Sequence, residues 1–344
     1  MKIILDDIIC KEDLFPFTLT RSTADIRIGI LTIREKWELL SGKKVYTLSE
    51  NKVEENENTR LVPANIIPSR KWFKVWKHNQ FVDIPKIETL KIEYPFHIFQ
   101  NNDQAIKDDY DLITRKRRSQ KISSTNTIIG KNIFIEEGAK VEYSILNASL
   151  GPIYIGKNAE VMEGCIIHGP FAMCEGSVLK MGAKVYGATT FGPYCIGAGE
   201  IKNSILFGYS NKSHDGYLGD SVIGEWCNLG AGTSNSNIKN TAGNIKVGID
   251  QKEKVSAGIK CGLLMGDYSR SVINTSFNTG TVVGVCCNVY SDEFPPTFIE
   301  SFSWGNKKYQ FEKALEHIDN WKKLKGHILS EEEKNILSAI HKKI

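Results

Sequence analysis

No stretch of this 344-residue sequence comes near the roughly 18 apolar residues that a bilayer crossing requires, so no membrane span is expected. There is no C-x-x-C pair, and two of the eight cysteines, Cys286 and Cys287, are adjacent. That pattern argues against both a zinc site and a disulfide framework. A surplus of one charge is missing too. The 44 lysines and arginines against 40 aspartates and glutamates leave +4, too little to argue for a nucleic-acid partner. The one dense basic run, Arg115-Lys116-Arg117-Arg118, reads as a solvated linker. The start, Met1-Lys2-Ile3-Ile4-Leu5-Asp6-Asp7, turns acidic within seven residues, unlike a signal peptide, so a cytoplasmic protein is expected.

What the chain does have is a period of six. Apolar residues stand at Ile129, Ile135 and Val141, and the frame resumes at Ile155 to hold through Val161, Ile167, Met173, Leu179, Val185 and Phe191. Ile223 and Leu229 form a third block; Met265, Ser271, Phe277, Val283 and Val289 form a fourth. Glycine often follows the apolar residue, as at Gly130, Gly156, Gly192, Gly224 and Gly266. The fifth residue of each six is small, and four of the eight cysteines (Cys165, Cys195, Cys227 and Cys287) fall there, which reads as core packing.

Period six suits neither an α-helix nor an alternating strand. It suits a solenoid in which each six residues make a short strand and a turn, three faces closing a triangular coil. Ser271 is the poor fit, so an irregular coil is expected there. The reading is a mainly β protein: a parallel β-helix of hexapeptide repeats over 123–293, after a small α/β domain over 1–122 and before a C-terminal arm and helices over 294–344.

The two ends read differently. Ile3-Ile4-Leu5 predicts a strand, Thr32–Leu40 a helix ended by Ser41-Gly42, and 51–58 a loop. Lys307–Lys325 predicts a helix with Phe311, Leu315, Ile318 and Trp321 on one face, and Ser330 with Glu333 predicts the capping box of a last helix. These C-terminal elements are expected to cover the β-helix end or clasp a neighbouring subunit, with Phe298, Phe302 and Trp304 read as packing. A complete nucleotide-binding domain of the transferring kind places a glycine-rich, phosphate-cradling loop right after its first strand. Here Asp6-Asp7 follow instead. Arg21, Arg27, Arg34 and Lys36 are candidates for a nucleotide or phosphate site, weighed against a salt-bridged surface. Asp103, Asp109 and Asp111 are candidates for the Mg²⁺ that an active first domain would need, weighed against plain solvation.

The hexads resemble the left-handed β-helix acyltransferases. A narrower match comes from Gly199-Glu200-Ile201-Lys202-Asn203-Ser204, then Ser213-His214-Asp215-Gly216-Tyr217-Leu218-Gly219-Asp220, then Ile223-Gly224 and Asn228-Leu229-Gly230-Ala231-Gly232-Thr233. In that order they resemble the acetyltransferase domain of the bifunctional glucosamine-1-phosphate N-acetyltransferase and N-acetylglucosamine-1-phosphate uridylyltransferase family. With Leu19-Thr20-Arg21, Arg27–Trp37 and Phe298–Gly305, the whole chain is similar to a short variant of that family from Bacteroidetes, a sugar nucleotidyltransferase by family name.

The resemblance implies a set of roles. His214, in a break between hexads, would be the general base that takes the ammonium proton, a task suited to an imidazole on a loop. The competing reading is a loop histidine bonded to its own backbone. Asn237 would support the reaction centre, although asparagine is also common in turns. Glu200, Lys202, Tyr217 and Asn228 would bind the sugar phosphate, Lys202 meeting the phosphate as a point cation, against the alternative of a solvated lysine. A second family cation, an arginine expected after Gly169-Pro170-Phe171-Ala172, is replaced by Met173-Cys174; Lys180, Lys184 and His168 are the candidate substitutes. Ala231, with Ile273 and Thr275 more loosely, would lie by the pantetheine arm of acetyl-CoA. A homotrimer with sites shared between subunits is implied, closing as a three-fold ring.

Other readings stay open. Zinc hydratases on the same coil need three histidines, and only His168 and His214 of the seven lie in the repeats. A β-helix that only assembles or regulates a nucleotidyltransferase would leave His214 incidental. An acyltransferase with another amino-sugar acceptor would keep the chemistry and change the substrate.

Overall fold

The computed structural model describes residues 2–50, 59–78, 89–249 and 254–344; the loop expected over 51–58 lies outside them. The hexads wind into a solenoid of three parallel sheets with six, nine and ten strands, the last strand of the ten-stranded one running antiparallel. The inward columns follow the period read from the sequence. On the nine-stranded sheet Ile135, Ile155, Met173 and Phe191 stand in register, and Ile223, Met265 and Val283 continue the column. All are within 1% of complete burial. The small fifth residues are buried as well, and the cysteines among them are free thiols.

Two expectations need correction. Ile129 is 44% exposed. Strand Thr127–Ile129 pairs with Ile145–Asn147 so that Ile128 aligns with buried Leu146 and Ile129 with Asn147, which sets the first hexad one residue out of frame. Ser271 does not disturb its coil. It keeps register with Leu229 and Val289, and its hydroxyl lies 2.9 Å from Thr233 Oγ1, so the buried polar atom is partnered. The parallel sheets also run past residue 293: Phe298–Ile299 pairs with the strand at Val282-Val283, and Trp304 pairs with Asn288. Between Asn235 and Leu263 the chain leaves the coil to form a hairpin, Ile245–Gly248 with Lys254–Gly258.

The N-terminal segment forms a three-stranded parallel sheet with Lys2–Asp6 in the centre, flanked by Tyr46–Thr47 and Thr59–Pro63. Helix Ile33–Ser41 begins at a Thr32/Glu35 capping box and stops at Gly42 in the left-handed conformation. The segment shares one core with the outer face of the nine-stranded sheet, its Phe17, Ile28 and Trp37 clustering with Ile205, Phe207, Val222, Leu264 and Val282. Those outward apolar residues make the face a docking surface. Polar stitches fix the join: Asn102 Nδ2 donates to the Ala188 carbonyl at 2.8 Å and Thr190 Oγ1 to that of Gly29 at 3.0 Å. Gly29, at φ +73°, passes so close to helix Asn102–Thr114 that a Cβ would lie 2.7 Å from the Ala105 carbonyl oxygen.

The C-terminal helices Phe311–Lys323 and Glu331–His341, the second opened by the Ser330/Glu333 box, dock on one corner of the coil. That corner is a ladder of residues in the left-handed region, Tyr194, Tyr209, Trp226, Tyr268 and Phe302. Tyr209 stacks on Trp226 at 4.2 Å, and Phe302 clusters with Ala314, Ile318, Leu337 and Ile340. Among the described residues no helix is long and apolar enough to cross a membrane.

Candidate functional site

The six-stranded sheet keeps an outer face that neither end of the chain packs against as its core, and Glu200, Lys202 and Tyr217 lie on this sheet. Strand Glu200–Lys202 pairs with Tyr217–Gly219, so that Glu200 faces Tyr217 and Lys202 faces Gly219. Lys184, on the preceding strand, aligns with Glu200, and Tyr186 aligns with Lys202. Tyr186 donates its hydroxyl to Glu200 Oε1 at 2.5 Å, and the Lys202 ammonium stands 5.5 Å from the Tyr186 ring centroid. The bond to Glu200 holds the Tyr186 phenol up at about 12.

The two corners that bound this face carry His214, Ala231, Ile273 and Asn237. At the corner leading into it, the His214 loop, Ala231 and Ile273 stack in successive coils. The Gly232 N–H donates to the Asp215 carbonyl at 3.1 Å and the Asn274 N–H to the Ala231 carbonyl at 2.7 Å. His214 is exposed, and among the described residues its imidazole meets no hydrogen-bond partner, unlike the backbone-bonded loop histidine of the competing reading. Ile273 is 67% exposed, whereas Thr275 is buried with its hydroxyl turned onto the Val272 carbonyl. At the far corner Asn237 Nδ2 donates to Tyr217 Oη at 3.1 Å and to the carboxylate of Asp220. Asp220 also accepts from Asn203 Nδ2 at 2.6 Å. Burial, then the Asp220 charge, pushes the Tyr217 phenol up, so it keeps its proton at neutral pH.

Asn228 stands apart, facing outward on the ten-stranded sheet between Asn211 and Arg270. Of the candidate substitutes for the missing arginine, Lys184 lies on the site face. His168, whose Nε2 is 3.1 Å from Asn147 Nδ2, lies on the same sheet; Lys180 follows a strand of the ten-stranded sheet. Asp220, Asn203, Tyr186 and Lys212 were not picked out from sequence. Asp220 sat in the quoted motif, but the partners that make it a hub come from other coils.

The N-terminal cations are committed within the chain. Arg21 pairs with Asp267, Lys36 with Asp109, and Arg27 donates to the Ile30 carbonyl beside Cys174. Arg34 holds Asp25 and Glu50. Asp103, Asp109 and Asp111 lie on helix Asn102–Thr114, Asp109 turned inward to Lys36 and Asp103 bonded to Lys107. Among the described residues no group of three or more histidine, cysteine or acidic side chains is arranged to hold a metal ion. A cavity of about 1130 Å³ opens beyond the carboxyl end of strand Lys2–Asp6, lined by Asp7, Ser22, Ser49, Lys11, Glu332 of the last helix and Lys343 just past its end.

A family model described as sugar nucleotidyl transferase matches residues 2–75. The bifunctional protein GlmU of Methanocaldococcus jannaschii is 39% identical over 88 residues, 26% of this chain and 21% of that protein. Over that stretch the chain is similar to the GlmU proteins. The bifunctional sugar-1-phosphate nucleotidylyltransferase/acetyltransferase of Sulfurisphaera tokodaii is 34% identical over 91 residues, 26% and 23% of the two chains. The GlmU of Bartonella quintana is 25% identical over 213 residues, 58% and 43%. The chain thus spans between about a fifth and two fifths of these relatives' length.

Proposed function

We propose that this chain is a cytoplasmic N-acetyltransferase that moves an acetyl group from acetyl-CoA to the amine of an amino sugar phosphate, with glucosamine-1-phosphate the leading candidate, in UDP-N-acetylglucosamine synthesis. The observation that carries the reading is the placing of an unbonded, exposed His214 at the edge of a face that presents Glu200, Lys202, Tyr217 and the Asn237 amide. On this face Lys202 and Lys184 supply positive charge for a phosphate, and Glu200 and the Tyr217 hydroxyl supply partners for sugar hydroxyls. His214 takes the proton of the substrate ammonium, freeing the nitrogen lone pair to attack the thioester carbonyl. The amide forms as the carbon–sulfur bond breaks; of the two protons the nitrogen gives up, one goes onto the departing CoA thiolate and the other passes by way of His214 to solvent. Acetyl-CoA supplies the acyl group; exposed Ile273 beside Ala231 gives its apolar arm a surface next to the His214 loop.

The left-handed winding and a homotrimer belong to the same proposal. Ile129, Ile145 and Ile166, each at least 37% exposed on the outer side of the six-stranded sheet near its start, are the surface on which a second copy would sit. The test is CoA release from acetyl-CoA with glucosamine-1-phosphate and a panel of other amino sugars, wild type beside His214→Ala. Turnover that collapses in the variant supports the reading; no turnover with any amine sinks it.

A second reading, nucleotide binding by the first segment, is favoured by the match to residues 2–75 and by the cavity at the carboxyl end of a parallel strand, where open α/β sheets take ligands. Calorimetric titration with UTP and UDP-N-acetylglucosamine, with and without Mg²⁺, checks it; no heat with either ligand removes it.

A further inference from the structure

On the ten-stranded sheet the inward column runs Val141, Val161, Leu179, Gly197, Lys212. Its fifth rung is a lysine with no exposed surface, in the interior of a coil whose other inward columns are hydrocarbon. Among the described residues no carboxylate lies within ion-pair distance of it. An ammonium buried without a counter-charge costs stability, and an aliphatic side chain would fill this rung better.

The ammonium has a specific use here. Lys212 Nζ donates to the His214 carbonyl and, at 3.1 Å, to the Asp215 carbonyl. Both belong to the short break between strand Asn211–Lys212 and strand Tyr217–Gly219. The same loop accepts two backbone donors from neighbouring coils, the Gly232 N–H on the Asp215 carbonyl at 3.1 Å and the Glu200 N–H on the Gly216 carbonyl at 3.2 Å. We propose that Lys212 is a positioning residue: from inside the coil its ammonium clamps the two peptide carbonyls at and after His214, fixing the direction in which the imidazole leaves the coil toward the Glu200–Tyr217 face. The effect on rate rests on the acetyl-transfer reading; the clamp itself does not.

The experiment compares full-length wild type with Lys212→Met, which keeps an unbranched apolar arm as far as Cε and removes the donor. Amide hydrogen exchange should accelerate about tenfold or more at Glu200 and Gly232, whose acceptors are the clamped loop, while Ile196 and Asn228, bonded to Ser210 and Ser269 in the same coils, stay unchanged. The melting temperature should hold or rise. In the acetyl-CoA assay kcat should fall about tenfold or more with both KM values within about twofold, as expected when a catalytic group is misplaced and substrate contacts are kept. Lys212→Gln, with a shorter arm and a remaining N–H donor, should fall between the two, and decides the matter if Lys212→Met does not fold. Unchanged exchange at Glu200 and Gly232, or acceleration spread evenly to Ile196 and Asn228, would overturn the clamp. A wild type that transfers no acetyl group would overturn the function instead, leaving the exchange comparison to judge Lys212 alone.

Discussion

Asn237 donates its side-chain amide to the phenol oxygen of Tyr217 at 3.1 Å, across two successive coils. The bond joins a residue on the open face to one at the corner where the chain leaves the coil for its hairpin. Asp220, only 3% exposed, ties the pair down by accepting from Asn237 and from Asn203. Its removal leaves two amides without their acceptor in a nearly dry corner. Asp220→Ala is therefore expected to cost about 1–3 kcal/mol in chemical denaturation. It should also lower kcat, because Asn237 and Tyr217 lose the anchor that fixes their mutual geometry. Full activity in Asp220→Ala would show that the network is packing alone.

His214 offers the opposite balance. Its ring is exposed and unbonded, so His214→Ala should leave the melting temperature within about 1 °C, as for a surface substitution away from packing. General-base loss is expected to reduce kcat about 10²–10⁴-fold. A variant that retains activity at neutral pH would take the proton-transfer role from this residue.

Much of this was legible in the sequence because the coil repeats. A period of six needs only one apolar and one small residue per strand, and both recur often enough to identify the solenoid, whereas Glu200, Lys202, Tyr217 and Asn237 were legible only through the motif resemblance, since the period lapses between Phe191 and Ile223. The frame slip at Ile129 was not legible, since Ile128 and Ile129 are both isoleucine and only pairing with Leu146 decides between them. The docking face was hidden for a related reason. Ile205, Phe207 and Val222 lie outside the coil, and apolar content alone does not tell an inner stack from an outer face that a second layer covers. Lys212 and Asp220 escaped notice because their roles depend on partners in three dimensions: carbonyls for one, amides from two other coils for the other.

The pair Lys36–Asp109 tests how the N-terminal segment is held. Both side chains are buried, and Asp109 also accepts the Ile30 and Leu31 N–H groups at 2.8 and 3.0 Å. Lys36→Met removes one charge and strands the other. Breaking such a pair from one side costs about 3–5 kcal/mol, so urea unfolding should shift to clearly lower concentration. The double variant Lys36→Met, Asp109→Leu should recover only part of this, because the two N–H groups then lose their acceptor. A neutral single variant would mean that the pair is open to water.

A pH experiment separates the buried Lys212 from every other titrating group. Burial pushes its ammonium down to about 8, with Asp215 opposing, while in the unfolded chain a lysine titrates near 10.4. Between those values the unfolded state binds the extra proton, so stability rises with pH across that window and the cost of the buried charge is felt in full below it. Lys212→Met carries no such charge. Its stability advantage over wild type should therefore be constant below about pH 7 and shrink as pH climbs from 8 toward 10, as read from urea midpoints of the two proteins side by side. Other groups titrate equally in both and cancel in the difference. A difference that stays flat across the window would mean that the ammonium is not desolvated, and the interior position of Lys212 would then fail with it.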